Sequence, residues 1–405
     1  MNKQIDKLKK MNILYIVHNY NNFQKDPIEE ASQYFNKVYV LVRYKPLSDI
    51  VDKIPLKSLK KFRSSYVLDL RGLPSNVEVV KTAVWYLPYG FLNRCLGDLH
   101  FRSVKRVLRK KKIKFDLIHS HFVWSSGYVG MKLKEEYGVP LVITGHGYDV
   151  YKLPFKSKYW REKIKEILDS ADCVITGSKF NKRCLEKLGI DISRVSLINN
   201  GFKPDLFYPK DKKELKKKMG LNDSQKICVS IGNLEKVKGH DILIKAIGIL
   251  KERGQNILCY IIGTGSRLNY LKALAKRCGV ENNIYFAGIK PHSEIGDYIN
   301  ISDVFVLPSR NESAPVVLLE ALACGKPVVA SKVGNVEDIL KARECGYIVD
   351  SEDAKALADS ILRALNRDWD IKGITEYSKR FSWENSVKEI LRIYIEVIKN
   401  EQRVS

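Results

Sequence analysis

The chain has 405 residues, long enough that two hydrophobic cores are expected in place of one. Hydrophobic residues make up 45% and charged residues 29%, which excludes wholesale disorder, and no apolar run approaches the ~20 residues that span a bilayer. Lys and Arg number 70 against 46 Asp and Glu, a formal net charge of +24, and residues 1–200 hold 37 basic and 19 acidic side chains against 33 and 27 in the remainder. A basic first half suits a polyanion or an anionic surface as partner.

Met1–Lys10 is basic and has no evident role, so Met11 is a second candidate start. The run Ile13–Val17 is shorter than the roughly 7–15 apolar residues of a signal peptide and reads as a first buried strand, with a cytoplasmic location as the expectation. Further strands are expected at Lys37–Val42, Leu117–His119, Leu141–Thr144, Cys173–Thr176 and Val195–Ile198. A second series follows at Ile227–Ile231, Ile257–Ile262, Ile284–Phe286, Val304–Leu307, Val328–Ala330 and Tyr347–Val349. Amphipathic stretches such as Phe101–Lys114, His240–Arg253, Leu268–Cys278 and Pro315–Cys324 lie between them. Continuous apolar strands alternating with helices predict parallel sheets covered on both faces, that is, two Rossmann-like doubly wound α/β domains. The domains are set at 1–200 and 201–381, joined near Asn199–Leu221, where Asn200-Gly201, Pro204, Pro209 and the charged run Lys210–Lys218 break the pattern. Residues 382–405 form a last helix, capped by Ser382 and striped with Val387, Ile390, Leu391, Tyr394 and Ile398, expected to pack back on the first domain. Eight cysteines without a Cys-x-x-Cys pair read as reduced thiols.

Open parallel sheets bind ligands at the carboxyl ends of their strands, so the cleft between two such domains is the expected site. The segment Val306–Val329 runs strand, polar loop, helix, glycine, strand. Pro315 suits the first helical turn, and the amides of Ser313, Ala314 and Val316 would form an anion site with the helix dipole. Glu320, farther along that helix, suits two hydrogen bonds from a vicinal diol such as a ribose, and Glu312 in the loop would face the sugar end of the same ligand. Gly232-Asn233-Leu234 and Lys236-Val-Lys238-Gly239 follow a strand, where a glycine lets backbone approach a phosphate and a lysine places charge on it. Gly263-Thr-Gly265 is permissive for a nucleotide but lacks the third glycine and acid of a dinucleotide site. In the first half, His119, His121 and His146 follow strands. His146, between two glycines, is the active-site candidate, and His119 with His121 are a weaker pair of metal-ligand candidates. Arg102, Lys105, Arg106 and Arg109 make a basic helix face near the aromatic run Trp85-Tyr86-Leu-Pro-Tyr89, a combination that suits docking on an anionic inner leaflet near a lipid-linked sugar.

Taken in order, His146-Gly147, Gly232-x-Leu234, Lys238-Gly239, Gly263-x-Gly265, Pro308-Ser309, Glu312-x7-Glu320 and Gly325-x-Pro327-Val-Val resemble the retaining glycosyltransferases of family 4, the group 1 or glycogen-synthase-like enzymes. Asn200-Gly201 with Phe207 and Pro209, and Phe381-Ser382-Trp383, look like that family's boundary signatures. The resemblance implies the GT-B architecture, with two Rossmann-like domains facing a central cleft, and transfer from a UDP- or GDP-linked sugar to a saccharide or lipid-linked acceptor, as in polysaccharide assembly. It places the ribose on Glu320, the diphosphate on Lys238, the donor sugar and phosphate on Glu312 and the amides from Ser313 to Val316, the base near Ile289, and His146 on the sugar or leaving phosphate. It implies no cofactor and no metal, the nucleotide sugar being a substrate, and no nucleic acid partner. Asn233 stands where many members carry arginine, so either Lys236 or Arg310 compensates or the clamp relies on Lys238 and the helix N-terminus. An epimerase or phosphorylase of the same architecture is the rival enzyme reading, and a non-catalytic polyanion-binding protein is the rival outside enzymes.

Overall fold

The computed structural model describes residues 2–46, 68–85, 92–340 and 344–404. The chain divides into two compact units, Met1–Asn199 with Trp383–Ser405, and Asn200–Ser382.

The first unit holds β1 (Asn12–Val17), β2 (Lys37–Tyr44), β3 (Val77–Ala83), β4 (Leu117–His121), β5 (Leu141–Gly145), β6 (Cys173–Thr176) and β7 (Val195–Leu197). They form one sheet in the order β3-β2-β1-β4-β5-β6-β7, every pair parallel. Strand β3 is absent from the sequence reading because it lies at an edge: Glu78 and Lys81 interrupt its apolar run, and only Val77 and Thr82 are buried. Strand β4 extends to His121, so His119 and His121 lie within the strand and not past it. The basic helix is Leu92–Lys111, starting nine residues before the expected Phe101.

The C-terminal helix Trp383–Val404 belongs to this unit. Its stripe of Val387, Leu391, Tyr394, Val397 and Ile398 is buried in one cluster with Tyr15, Ile28 and Val38. Residues Asn2–Leu8 form a helix that seats Leu8 in the same cluster. Each large side chain so buried contributes about 1.5–3 kcal/mol, which holds both chain ends on the first sheet.

The second unit holds β8 (Lys226–Ile231), β9 (Ile257–Ile262), β10 (Ile284–Gly288), β11 (Val304–Leu307), β12 (Val328–Ser331) and β13 (Gly346–Val349), in the parallel order β10-β9-β8-β11-β12-β13. Successive residues send side chains to opposite faces, so Ile227, Val229, Phe305 and Leu307 enter one core while Cys228, Val304 and Val306 enter the other. The charged run after Pro209 is folded onto this unit: Asp211 caps a helix Lys212–Lys218, and buried Lys216 donates from Nζ to the carbonyls of Asp223 and Gln225.

Both orders reverse direction next to the first strand of each sheet, between β1 and β4 and between β8 and β11. A crevice outside the carboxyl ends of those strands is where such sheets take ligands.

Candidate active site

In the second unit the loop after β8 and the loop after β11 meet at that reversal. The loop after β8 carries Gly232 and exposed Asn233, then a single 3-10 turn Lys236–Lys238, before Gly239 opens the helix His240–Glu252. Gly239 has φ +66° and stands so close to the next loop that an added Cβ would lie 1.8 Å from the Pro308 carbonyl oxygen. That contact brings Lys238 over the β11 loop, where its ammonium donates to Glu312 Oε1 at 2.6 Å. Ser309 Oγ donates to the same oxygen at 2.7 Å. The carboxylate of Glu312 is therefore oriented from two sides at the sheet's reversal.

The loop after β9 closes the other flank. Gly263, with φ +141°, allows its backbone to approach the Gly232 carbonyl, where a Cβ would lie at 2.1 Å. Leu234 N donates to Thr264 O and Arg267 N donates to Leu234 O, which places Gly265 directly against the Leu234 backbone. Ile289, beyond β10, is exposed.

Helix Val316–Ala323 begins one residue later than expected. Pro315 precedes it in extended geometry as the N-cap, and no side chain caps it. Ser313 and Ala314 thus belong to the preceding loop, and Val316 leads the helix whose N-terminal end offers the uncapped amides. Glu320 lies on this helix and is mostly buried, and His292 Nε2 sits 2.9 Å from its Oε1. One oxygen of the expected diol acceptor is therefore already engaged. His292 opens the helix His292–Ile301 and escapes sequence reasoning, since its partner lies 28 residues away.

Arg310 is not a free cation. Its guanidinium bonds Asp241 through both terminal nitrogens, at 2.8 and 3.0 Å, donates to Lys236 O at 2.7 Å, and pairs with Glu352. These carboxylates, Asp241 first, raise its already high pKa further. Arg310 fastens the two loops together and cannot stand in for the arginine absent at Asn233, which leaves either Lys236, exposed on the 3-10 turn, or a clamp made by Lys238 and the helix N-terminus alone.

In the first unit His146 is part-buried after β5. Its Nε2 lies 3.1 Å from His121 Nδ1, and the rings of Phe23 and Phe122 pack at 4.8 and 4.7 Å. Buried Asp149 accepts the N–H groups of Val123 at 2.7 Å and Gly147 at 3.0 Å, tying the loops after β4 and β5 and fixing the backbone beside His146. His119 is a tie to the C-terminal helix: Nδ1 lies 2.6 Å from Tyr394 Oη and Nε2 2.7 Å from Thr144 Oγ1. With both ring nitrogens engaged, His119 is removed from the metal-ligand reading.

Burial pushes His18, His100, His119, His121 and His146 below the ordinary histidine range, with neighbouring Arg43 or histidines adding to it at every one but His121, which falls to about 3 by burial alone. A depressed histidine favours the fold above the unfolded value near 6.5 and loses that contribution as pH falls through the window down to its folded value. His121 alone then removes about 1.4 kcal/mol per pH unit below 6.5. Thermal unfolding at pH 5.5 is expected several degrees below that at pH 7.5, and an unchanged or higher Tm would contradict neutral burial.

Of the basic and aromatic face, Trp85 is 63% exposed, and Arg102, Arg106 and Arg109 are exposed. Lys105 departs from expectation, its ammonium held by Glu136 at 2.7 Å. Tyr86 lies outside the described residues. Among the described residues no helix is long and apolar enough to cross a membrane.

Comparison with known proteins gives a consistent picture. The family model described as "Glycosyl transferases group 1" matches residues 211–383, and that described as "Glycosyltransferase Family 4" matches residues 66–206. A protein of Catenulispora acidiphila named D-inositol 3-phosphate glycosyltransferase 2 is 30% identical over 301 residues, covering 69% of this chain and 70% of its own. The chain belongs to the group 1 glycosyltransferases. Among solved structures, sucrose-phosphate synthase of Thermosynechococcus elongatus superposes on 96% of this glycosyltransferase and 100% of its own chain, with a TM-score of 0.78 at 21% identity. Anabaena HepE, solved with UDP and glucose, covers 95% and 99% with a TM-score of 0.72 at 20% identity. At such identities the likeness establishes the fold, and the two parallel sheets have the GT-B architecture of these enzymes.

Proposed function

We propose that this glycosyltransferase transfers a sugar from a UDP- or GDP-linked donor to a saccharide or lipid-linked saccharide acceptor, retains the anomeric configuration and uses no metal. The observation that carries the reading is the Lys238–Glu312 pair at the reversal point of the second sheet, with Glu320 farther along the helix that follows. HepE, of the same fold, has been solved with UDP and glucose, which supports a nucleotide-sugar donor here.

The slow step is cleavage of the anomeric C–O bond while negative charge grows on the departing β-phosphate. The Lys238 ammonium and the uncapped start of the helix Val316–Ala323 are fixed before the reaction, so they favour the transition state without reorganising. Loss of the diphosphate from one face and attack by the acceptor hydroxyl on the same face accounts for retention. The leaving phosphate oxygen takes the hydroxyl proton as the new C–O bond forms. Glu312 then orients the donor sugar, Glu320 takes the ribose hydroxyls through the oxygen that His292 leaves free, the backbone near Ile289 reads the base, and neutral His146 hydrogen-bonds the sugar or the departing phosphate. Mass spectrometry is expected to find no glycosyl adduct on Glu312; a trapped adduct would replace this route by double displacement.

A thermal-shift panel of UDP- and GDP-sugars is the first test. One donor is expected to raise Tm by the amount that RT ln(1 + [L]/Kd) dictates, and NMR of the product should show the donor's anomeric configuration. No shift with any sugar nucleotide would defeat the proposal.

The exposed arginines Arg102, Arg106 and Arg109, with Trp85, support peripheral docking on an anionic inner leaflet. Co-sedimentation with vesicles containing phosphatidylglycerol is expected to fall when the three arginines are changed to glutamine. Equal binding to neutral vesicles would remove the membrane from the reading.

A further inference from the structure

His146 can help a departing phosphate only if it offers an N–H, because the oxygens of that phosphate accept hydrogen bonds. Which ring nitrogen carries the hydrogen depends on a second histidine. His121 ends β4 and His146 follows the neighbouring strand β5. Their rings lie 25° from parallel with centroids 5.1 Å apart, while His121 Nδ1 and His146 Nε2 are 3.1 Å apart. Nitrogens so much closer than the centroids mean that the rings meet edge to edge, the arrangement of a hydrogen bond. The rings of Phe23 and Phe122 pack on His146 at 4.8 and 4.7 Å and limit its rotation.

Burial holds both imidazoles neutral, His121 down to about 3, and His121 adds to the effect at His146. A neutral imidazole has one N–H and one bare nitrogen. The pair therefore has two arrangements. If His121 Nδ1 donates, the hydrogen of His146 sits on Nδ1. If His146 Nε2 donates, the hydrogen of His121 sits on Nε2. Both rings are Nδ1–H in the first case and Nε2–H in the second.

The two cases differ in which ring keeps an N–H that no described residue accepts. In the second it is His121, 5% exposed and packed against Tyr15 at 5.9 Å and His119 at 4.5 Å. Neither neighbour is available to accept it. His119 has Nδ1 on Tyr394 Oη and Nε2 on Thr144 Oγ1, and Tyr15 Oη is paired with Tyr394 Oη. In the first case the remaining N–H is on His146, which is only part-buried and which water or a ligand can satisfy. An unmet donor is costlier the more completely it is buried, so the fold favours Nδ1–H on both rings.

We infer that His121 is a positioning residue that sets the tautomer of His146, donating from Nδ1 to its Nε2 so that His146 presents Nδ1–H to the departing phosphate. The inference rests on the reading in which His146 meets the donor. Its hydrogen stays on the imidazole throughout, and the acceptor's proton still goes to the leaving phosphate oxygen. A donor aimed in advance at an oxygen on which charge grows acts mainly in the transition state. Tyr394 of the C-terminal helix contributes at one remove, by fixing the His119 ring against which His121 packs.

NMR of the full chain with isotope-labelled histidine reads the tautomer directly, because protonated and bare ring nitrogens resonate far apart. His146→Gln and His121→Asn identify the two rings by the signals they remove. Nδ1–H on both rings is expected, and Nε2–H on both would overturn the inference. Turnover at saturating donor gives the functional half. His121→Phe keeps a ring beside Tyr15 and His119 without the N–H, and should lower kcat by about tenfold or more with little change in the KM for donor. His121→Asn, whose amide nitrogen takes the place of Nδ1, should recover most of that loss. His121→Asp has the same size but a carboxylate that only accepts, and should not. Equal rates in folded Asn and Asp variants, or wild-type kcat in a folded Phe variant, would reduce His121 to packing and overturn its role. Should the Phe variant fail to fold, the wild-type spectrum and the Asn variant still decide. Nδ1–H on both rings with no sugar nucleotide bound counts against the transferase reading, whereas Nε2–H with donor binding intact counts against this inference alone.

Discussion

Lys238→Ala is expected to lower turnover by a hundredfold or more at saturating donor, measured as acceptor-dependent release of nucleoside diphosphate. The ammonium stands at the end of the loop after β8 and is already held over the β11 loop by Glu312 at 2.6 Å. Its position is therefore set before any donor arrives, and a preorganised charge aimed at a leaving group acts mainly in the transition state. Loss of one such contact typically costs ~10²–10³ in rate, equivalent to about 2.7–4 kcal/mol. The substitution also leaves Glu312, whose side chain is only 10% exposed, with Ser309 as its remaining partner on that oxygen. An under-satisfied carboxylate costs about 1–3 kcal/mol of stability, so Tm is read alongside the rate. A fall in kcat with a modest change in KM assigns Lys238 to the transition state, and a rise in KM alone assigns it to ground-state binding. An almost unchanged rate removes Lys238 from the role. Lys238→Arg keeps the charge on a longer and planar fork and should recover only part of the loss.

The second sheet was legible because its strands are continuous apolar runs bounded by polar loops. Ile257–Ile262 and Val304–Leu307 fall where the sequence places them, and the other four strands differ by at most two residues at an end. Edge strands and helix starts were less legible. Strand β3 is half exposed and carries Glu78 and Lys81, so no buried run announces it. The helix Leu92–Lys111 opens on residues that include Gly97, Asp98 and His100, which hide its periodicity until Phe101.

The site divides in the same way. Lys238 and Glu312 are 74 residues apart, and only the resemblance to a family joins them before the fold does. The pairings of His292 with Glu320 and of His121 with His146 follow no local spacing, because the partners belong to different elements. Arg310 misled for a related reason. A basic residue in a loop reads as a free cation until the fold brings Asp241, 69 residues earlier on the helix His240–Glu252, onto it. Charge counted along a chain records how many cations exist, while burial and partners decide which of them remain for a ligand.

Gly239→Ala is expected to damage fold and activity together, for one steric reason. An alanine there must adopt φ near +66°, which costs an L-residue about 1–2 kcal/mol. Its Cβ would also lie 1.8 Å from the Pro308 carbonyl oxygen, which is backbone and cannot rotate away. The loops after β8 and β11 must therefore separate by more than an ångström. That separation pulls at Arg310, whose amide donates to Val237 O and whose side chain donates to Lys236 O. It also carries Lys238 away from Glu312. With overpacking typically costing about 1–3 kcal/mol, the combined loss is on the order of 3 kcal/mol. For a unit of this size each kcal/mol lowers Tm by roughly 2–4 °C, so a fall near ten degrees is expected in thermal unfolding. Catalysis should fall further than stability explains: a 1 Å displacement of a positioned group can cost about a hundredfold, so kcat/KM is expected to drop that much even at temperatures where the variant is fully folded. Wild-type activity in a folded Gly239→Ala chain would show that the two loops need not touch for the reaction, and the account of Lys238 as a preplaced charge would fall with it.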